Sequence, residues 1–153
     1  MKISKLISGG QAGVDRAALD FALAHQIECG GWCPKGRIAE HGIIPLKYPL
    51  TETSGSDYRE RTQLNVKDSD GTLLFINGNI DKGTKLTIDT AANLKKPCFI
   101  FDFSKNPEKK KLLQWLTDNK IKVLNIAGPR ESNSLGIYGL VYDMLNKIFL
   151  DCY

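Results

Sequence analysis

The amino-acid sequence predicts an α/β fold, a three-layer sandwich with a mainly parallel central sheet. Four short runs of apolar residues lack the alternation of polar and apolar residues that half-exposed strands show: residues 5–8, 72–76, 98–101 and 123–127. This pattern is typical of strands that are buried on both faces of a parallel sheet. Five segments have the spacing of helices: residues 15–25, 57–67, 83–95, 106–119 and 135–149. Because strand and helix alternate along the chain, we expect a single domain spanning residues 1–153.

The first predicted strand and helix meet at a tight corner, residues 8–15, which reads SGGQAGVD. Its G-G-x-x-G spacing matches neither the dinucleotide fingerprint nor a Walker loop. Glycines at such a corner can leave backbone N–H groups open to an anion at the positive end of the helix. The alternative is that the glycines only make the turn and Asp15 only caps the helix.

Residues 28–56 interrupt the alternation of strands and helices. This stretch contains three prolines and several glycines, with few periodic apolar positions, and we predict at most short strands near residues 28–32 and 42–44. Long loops in compact domains are often functional. Whether this one covers a ligand or forms an oligomer contact stays open at this point.

Two further corners resemble the first in chemistry. The second corner, residues 81–84 (DKGT), offers a glycine and a threonine at a helix start. The third corner, residues 127–132 (AGPRES), supplies Gly128 and Arg130, and an arginine can clamp a phosphate oxygen with two hydrogen bonds. Since the carboxyl ends of parallel strands meet at one sheet edge, we expect the three corners to converge there.

The predicted helix 57–67 carries an unusual polar face. Tyr58, Arg61, Thr62 and Asn65 fall on one side of it at spacings of three, four and seven residues. Solvation explains such a face as readily as contact with a ligand does.

Composition excludes several function classes. A formal net charge of +4, without aromatic residues interleaved in a basic stripe, argues against a nucleic-acid surface. No apolar run reaches the length of a membrane span, and we expect a cytoplasmic protein without a leader. Of the four cysteines, Cys29, Cys33, Cys98 and Cys152, the first two have a C-x3-C spacing, which is a weak zinc signal without a second pair, so we expect free thiols and no bound metal ion. Lys35 and Arg37 near Cys33 could lower the pKa of its thiol and make it reactive, but a buried structural cysteine is the favoured interpretation.

Several segments resemble the molybdenum carrier family, in the same order and over nearly the whole chain: SGGQAGVDRAALDFAL, GGWCPKGRIAEHG, YPLTET, YRERTQLNVKDSDGTLLF, KGTKLT and NIAGPRES with a following GIY. That family lies in the Rossmann-like superfamily that also contains lysine-decarboxylase-like nucleotide hydrolases. The resemblance implies a Rossmann-like fold and a homo-oligomer, typically a tetramer. It also implies bound molybdenum cofactor, molybdopterin with its molybdenum, exchanged with molybdoenzymes or cofactor-synthesis proteins.

The resemblance also assigns site residues. It implies that the helix 57–67 lines the site through Tyr58 and Arg61 and that Lys35 and Arg37 add positive charge. It also implies that the three corners bind the phosphate group, through Gly9, Gly10, Gln11, Gly13, Gly83, Thr84, Gly128 and Arg130.

Three functions fit these residues. The first is a carrier of molybdenum cofactor that performs no catalysis. The second is a hydrolase of nucleotide N-glycosides, but relatives with that activity carry a glutamate where this chain has Thr87. The third is a sensor that binds a nucleotide or an ADP-ribose-like ligand through the same corners. We expect the first, an anionic small-molecule carrier without catalytic residues.

Overall fold

The computed structural model describes residues 2–150. Its strands are β1 Lys5–Ile7, β2 Glu28–Gly30, β3 Trp32–Cys33, β4 Ile38–Ala39, β5 Gly42–Ile43, β6 Thr51–Glu52, β7 Gly71–Ile76, β8 Cys98–Asp102 and β9 Val123–Ala127. Its α-helices are α1 Val14–Ala24, α2 Tyr58–Lys67, α3 Lys82–Asn93, α4 Lys109–Asp118 and α5 Ile137–Phe149. Cys29, Cys33 and Cys98 are free thiols, while Cys152 lies outside the described residues.

Five of the strands form one parallel sheet in the order β2-β1-β9-β7-β8. All six residues of the interior strand β7 are buried, which explains why its sequence lacks polar alternation. Helices α1, α4 and α5 contribute to one large apolar core with the sheet, and α2 packs on α3 outside that core. The predicted α/β class and parallel, Rossmann-like sheet are confirmed.

The strand order has a permuted relation to a common doubly wound fold. If β7, β8, β9, β1 and β2 are counted as strands 1 to 5, the observed order reads 5-4-3-1-2. In reverse this is 2-1-3-4-5, the flavodoxin-like order, in which ligands bind where the order reverses between strands 1 and 3. That switch point corresponds here to the boundary between β7 and β9.

The interruption at residues 28–56 contains more pairing than the sequence predicts. The strand β2 joins the main sheet, β3 pairs with β6, and β4 pairs with β5 in a small hairpin. Tyr48 ties the stretch to α1 by donating its hydroxyl hydrogen bond to Asp20, which also accepts one from Tyr138 of α5. No helix between Lys2 and Leu150 has the length and apolarity needed to cross a membrane.

Candidate functional site

A cleft of about 470 Å³ opens at the carboxyl ends of β1, β7 and β9. It lies at the switch point of the sheet, where doubly wound folds bind their ligands. Every one of the three corners contributes to it, together with helix α2. Its lining residues are Gln11, Asp15, Tyr58, Arg61, Thr62, Asp81, Lys82, Gly83, Leu86, Thr87, Ala127, Gly128, Arg130 and Asn133.

Half of the predicted site residues line this cleft: Gln11, Tyr58, Arg61, Gly83, Gly128 and Arg130. The others are absent from its lining: Gly9, Gly10, Gly13, Lys35, Arg37 and Thr84. Contact of the first group with a ligand stays a prediction. Asp15, Asp81, Lys82, Thr87 and Asn133 line the cleft without having been assigned to it from the sequence.

Two backbone N–H groups of the first corner already have partners within the chain, so these two are not open to an anion as predicted. The N–H of Gly10 donates to Ser8 Oγ at 3.4 Å, and that of Gln11 donates to Asp15 Oδ2 at 3.2 Å. The Asp15 carboxylate therefore already occupies the place where an external anion was expected, at the positive end of α1. This correction removes the N–H groups of Gly10 and Gln11 from the predicted phosphate site, while a phosphate role for the rest of the first corner stays a prediction.

The glycines of the first corner instead allow other segments to approach closely. A Cβ on Gly9 would lie 1.7 Å from Arg61 Nη1, so a side chain there would displace that guanidinium. A Cβ on Gly13 would lie 2.7 Å from the carbonyl oxygen of Pro129 and 2.6 Å from the nitrogen of Glu131. The first corner thus positions both Arg61 and the third corner.

A buried ion pair lies on the floor of the cleft. Arg61 Nη1 is 3.5 Å from Asp15 Oδ2, and the side chain of Asp15 is 5% exposed. Burial raises the pKa of the Asp15 carboxyl, and the nearby Arg61 guanidinium and the N–H of Gln11 only partly offset this. From the sequence, Asp15 was considered only as a helix cap, in the alternative in which the glycines of the first corner only make the turn.

Two guanidinium groups face the ring of Tyr58. Arg61 Cζ is 5.3 Å and Arg130 Cζ is 4.9 Å from its ring centroid, which is within the range of cation–π attraction. Within residues 2–150 the guanidinium of Arg130 has no hydrogen-bonded or ion-paired partner. Arg130 is therefore a cation in the cleft that is not neutralised by contact with an acid.

Asp81 joins the second corner to the third. Its carboxylate accepts a hydrogen bond from the N–H of Thr84 at 2.8 Å and another from Asn133 Nδ2 at 3.1 Å. Burial would raise the pKa of Asp81, but these hydrogen bonds outweigh burial and lower it. The predicted anion site at Gly83 and Thr84 is therefore partly occupied by this cap, and Lys82 and Gly83 remain at the cleft.

Arg37 and Lys35 do not bring charge to the cleft. The Arg37 guanidinium is buried and donates to four carbonyl oxygens, of Ile44, Pro45, Tyr48 and Leu50, at 2.7–3.3 Å. It therefore holds the loop together, while Lys35 is exposed. The structure favours a structural role for Cys33 over a reactive thiol, because its side chain is fully buried and burial raises its pKa.

The described residues offer no obvious metal site. Between Lys2 and Leu150, no group of three His, Cys, Asp or Glu side chains is arranged to hold a metal ion. Asp70 in the DSDG turn instead accepts hydrogen bonds from the N–H groups of Lys122 and Val123 at the start of β9.

Comparison with known proteins agrees with the permuted sheet. The model of the circularly permutated YpsA SLOG family matches residues 6–149. This chain belongs to that family. A crystal structure named "Putative molybdenum carrier protein", from Syntrophus aciditrophicus SB, is 47% identical and covers 97% of this chain and 95% of its own, with a TM-score of 0.91. The resemblance to the molybdenum carrier family is thereby confirmed, and no curated protein matches the chain.

Proposed function

We propose that this member of the circularly permutated YpsA SLOG family binds and carries molybdenum cofactor in the cleft, without catalysing a reaction on it. The observation that carries the proposal is the pair Arg61 and Arg130, both within cation–π distance of the Tyr58 ring, with Arg130 in no ion pair within residues 2–150. A guanidinium matches phosphate geometry and a tyrosine ring suits a flat heterocycle, so the cleft favours a phosphorylated ring compound. The name of the 47% identical neighbour supports a compound that contains molybdenum, and molybdenum cofactor is the phosphorylated ring compound that the resemblance to its family implies.

The residues present fit molybdopterin as cargo. Arg61 Nε is a buried donor and Gln11 Oε1 a buried acceptor, and neither has a partner within residues 2–150. Buried polar atoms without partners are costly, and a ligand that carries both oxygen acceptors and N–H donors would satisfy both. The pterin phosphate supplies the acceptors and the pterin ring supplies the donors.

The residue at one position favours a carrier over a hydrolase: the related hydrolases have a glutamate there, and this chain does not. Thr87 occupies this position, lines the cleft, and donates its hydroxyl hydrogen bond to the carbonyl of Gly83 at 3.1 Å. Without a carboxylate at that position, the cleft lacks the group that those relatives use for glycosidic cleavage. Product analysis after incubation with nucleotide monophosphates tests this part of the proposal.

A homo-oligomer that exchanges cofactor with molybdoenzymes or synthesis proteins belongs to the same proposal. Large apolar side chains support an assembly, because Leu46 is 86%, Leu135 is 84% and Ile43 is 72% exposed. Light scattering after size exclusion measures the assembly. A monomer at all concentrations would remove this part without affecting the cleft.

The proposal is tested by anaerobic calorimetry with molybdenum cofactor, AMP and ADP-ribose. Arg130→Ala is expected to weaken cofactor binding about 10- to 100-fold, because a charge-assisted hydrogen bond contributes about 1.5–3 kcal/mol. Arg59→Ala is the matched control, since Arg59 lies on the same helix α2 as Arg61 but is exposed and pairs with Asp57 outside the cleft. Saturable binding of AMP or ADP-ribose, with no response to the cofactor, would instead establish a nucleotide or ADP-ribose ligand.

A further inference from the structure

The end of the cleft near the first corner contains hydrogen-bond acceptors that have no donor among the described residues. Gln11 is 2% exposed, and its Nε2 donates to the carbonyl of Ile38 at 3.0 Å. That contact fixes the amide orientation, because exchanging the two amide ends would set oxygen against oxygen. The amide oxygen Oε1 is then a buried acceptor without a partner among the described residues.

Asp15 adds a second acceptor to the same end of the cleft. Its Oδ2 accepts from the N–H of Gln11 and pairs with Arg61. Its Oδ1 accepts no hydrogen bond within residues 2–150, although Asp15 lines the cleft. A desolvated carboxylate with an unused oxygen binds N–H donors more strongly than a neutral acceptor does.

The cleft is therefore asymmetric in its hydrogen-bonding capacity. Arg130 and Lys82 offer donors to an anionic group, whereas Gln11 Oε1 and Asp15 Oδ1 can only accept. A phosphate or other oxyanion cannot satisfy the accepting end, because it carries no donor there and would repel the carboxylate. A complementary ligand has an anionic end and a ring edge with N–H donors.

We propose that Gln11 and Asp15 select the ligand by its ring, accepting hydrogen bonds from the 2-amino-4-oxopyrimidine edge that pterins and guanine share. This edge presents a ring N–H and an amino group side by side, which match two acceptors. Adenine presents one amino group beside a ring nitrogen that itself accepts, so it mismatches. The inference rests on the proposed function, since it concerns the same cleft, and it adds the class of ring that the cleft recognises.

The test compares GMP, AMP and XMP with the wild-type chain by calorimetry. GMP is expected to bind at least about 10-fold more tightly than AMP, because one charge-assisted hydrogen bond is replaced by a repulsive contact. Competition between GMP and molybdenum cofactor then distinguishes guanine from pterin as the ring that carries this edge. The ligand that binds more tightly identifies the ring that the cleft prefers.

Asp15→Asn provides the sharper variant. At the position of Oδ1 the new amide would present a donor, which matches the 2-oxo group of xanthine while Gln11 Oε1 accepts from the ring N–H, so the preference should change from GMP to XMP. The asparagine oxygen can still accept from the N–H of Gln11. A residue with a purely structural role would weaken all three nucleotides equally and leave their order unchanged.

The outcomes separate this inference from the function on which it rests. If GMP and AMP bind wild-type protein equally and Arg130→Ala weakens both, ring selection by Gln11 and Asp15 is refuted while anion binding in the cleft stands. If neither molybdenum cofactor nor any of the nucleotides binds, both proposals fail. An Asp15→Asn variant that keeps the wild-type order of affinities also overturns the inference.

Discussion

Replacement of Gly13 by alanine is expected to destabilise the protein by about 2–6 kcal/mol. The backbone at Gly13 has φ 95° and ψ −126°, a conformation that costs a residue with a side chain of order 1–3 kcal/mol. The new Cβ would also lie 2.6 Å from the nitrogen of Glu131 and 2.7 Å from the oxygen of Pro129. Both are backbone atoms that cannot rotate away, and overpacking of this kind adds about 1–3 kcal/mol.

The measurement is urea unfolding, supported by thermal melting. For a chain of this length, 1 kcal/mol corresponds to about 2–4 °C in Tm, so Gly13→Ala should lower Tm by at least about 4 °C. Gly136→Ala is the matched control, because Gly136 has φ 85° but no atom within 4 Å of the position of a Cβ. It should lose only the backbone contribution, about 1–2 kcal/mol.

The comparison tests why glycine is needed in the first corner. Equal losses in the two variants would mean that the close approach of the third corner contributes nothing at Gly13, and the structural role that we assign to the first corner would be refuted. A larger loss for Gly13→Ala, without a change in the urea m-value, would support that role.

Two further predictions concern the loop and the acids of the cleft. Arg37→Lys should accelerate amide hydrogen exchange in residues 38–50 about 10-fold or more, because an ammonium group with three donors cannot bind all four carbonyl groups. Lys35→Ala, at an exposed position, is the control, and equal exchange in the two variants would contradict this prediction. Acidification should act oppositely on Asp15 and Asp81, as measured by urea unfolding of the wild type against each Asp→Asn variant. Because the pKa of Asp15 is raised in the folded protein, the contribution of Asp15 to stability increases as pH falls toward 3.8. Because the pKa of Asp81 is lowered, the contribution of Asp81 is lost as pH falls below 3.8. Equal pH profiles of the two variants would contradict both assignments.

The regular elements could be predicted from the sequence because burial on both faces and helical spacing leave direct traces in it. The helix predicted at residues 83–95, for example, is α3 at Lys82–Asn93. The strands β4 and β6 could not be predicted, because each has two residues and forms only by pairing with β5 or β3. The order of the strands in the sheet could not be predicted from the sequence either, because it depends on how the connections cross the sheet.

The site was predictable in location and less so in chemistry. Convergence of the corners follows from the parallel sheet, so Arg130 and Gly128 could be placed in the cleft in advance. Gly9 and Gly13 were given a phosphate-binding role because glycines at a strand-to-helix corner can leave N–H groups open. Their packing role could not be predicted, because the segments that crowd them are distant in the sequence. Arg37 was misplaced for a related reason, since a buried arginine that binds carbonyl groups has no sequence signal of its own.

The permuted strand order explains why such a site tolerates a different starting point of the chain. The cleft depends on β1, β7 and β9 ending at one sheet edge, and that edge is the same whichever strand comes first in the sequence. The permutation does change which segments are local. Gln11 and Asp15 lie near the start of the chain and Arg130 near its end, so the accepting and donating ends of the cleft meet only after long-range pairing of β1 with β9. By this argument, a ligand that bridges both ends would stabilise the sheet at the β1–β9 pair, where the segments from the two ends of the chain meet.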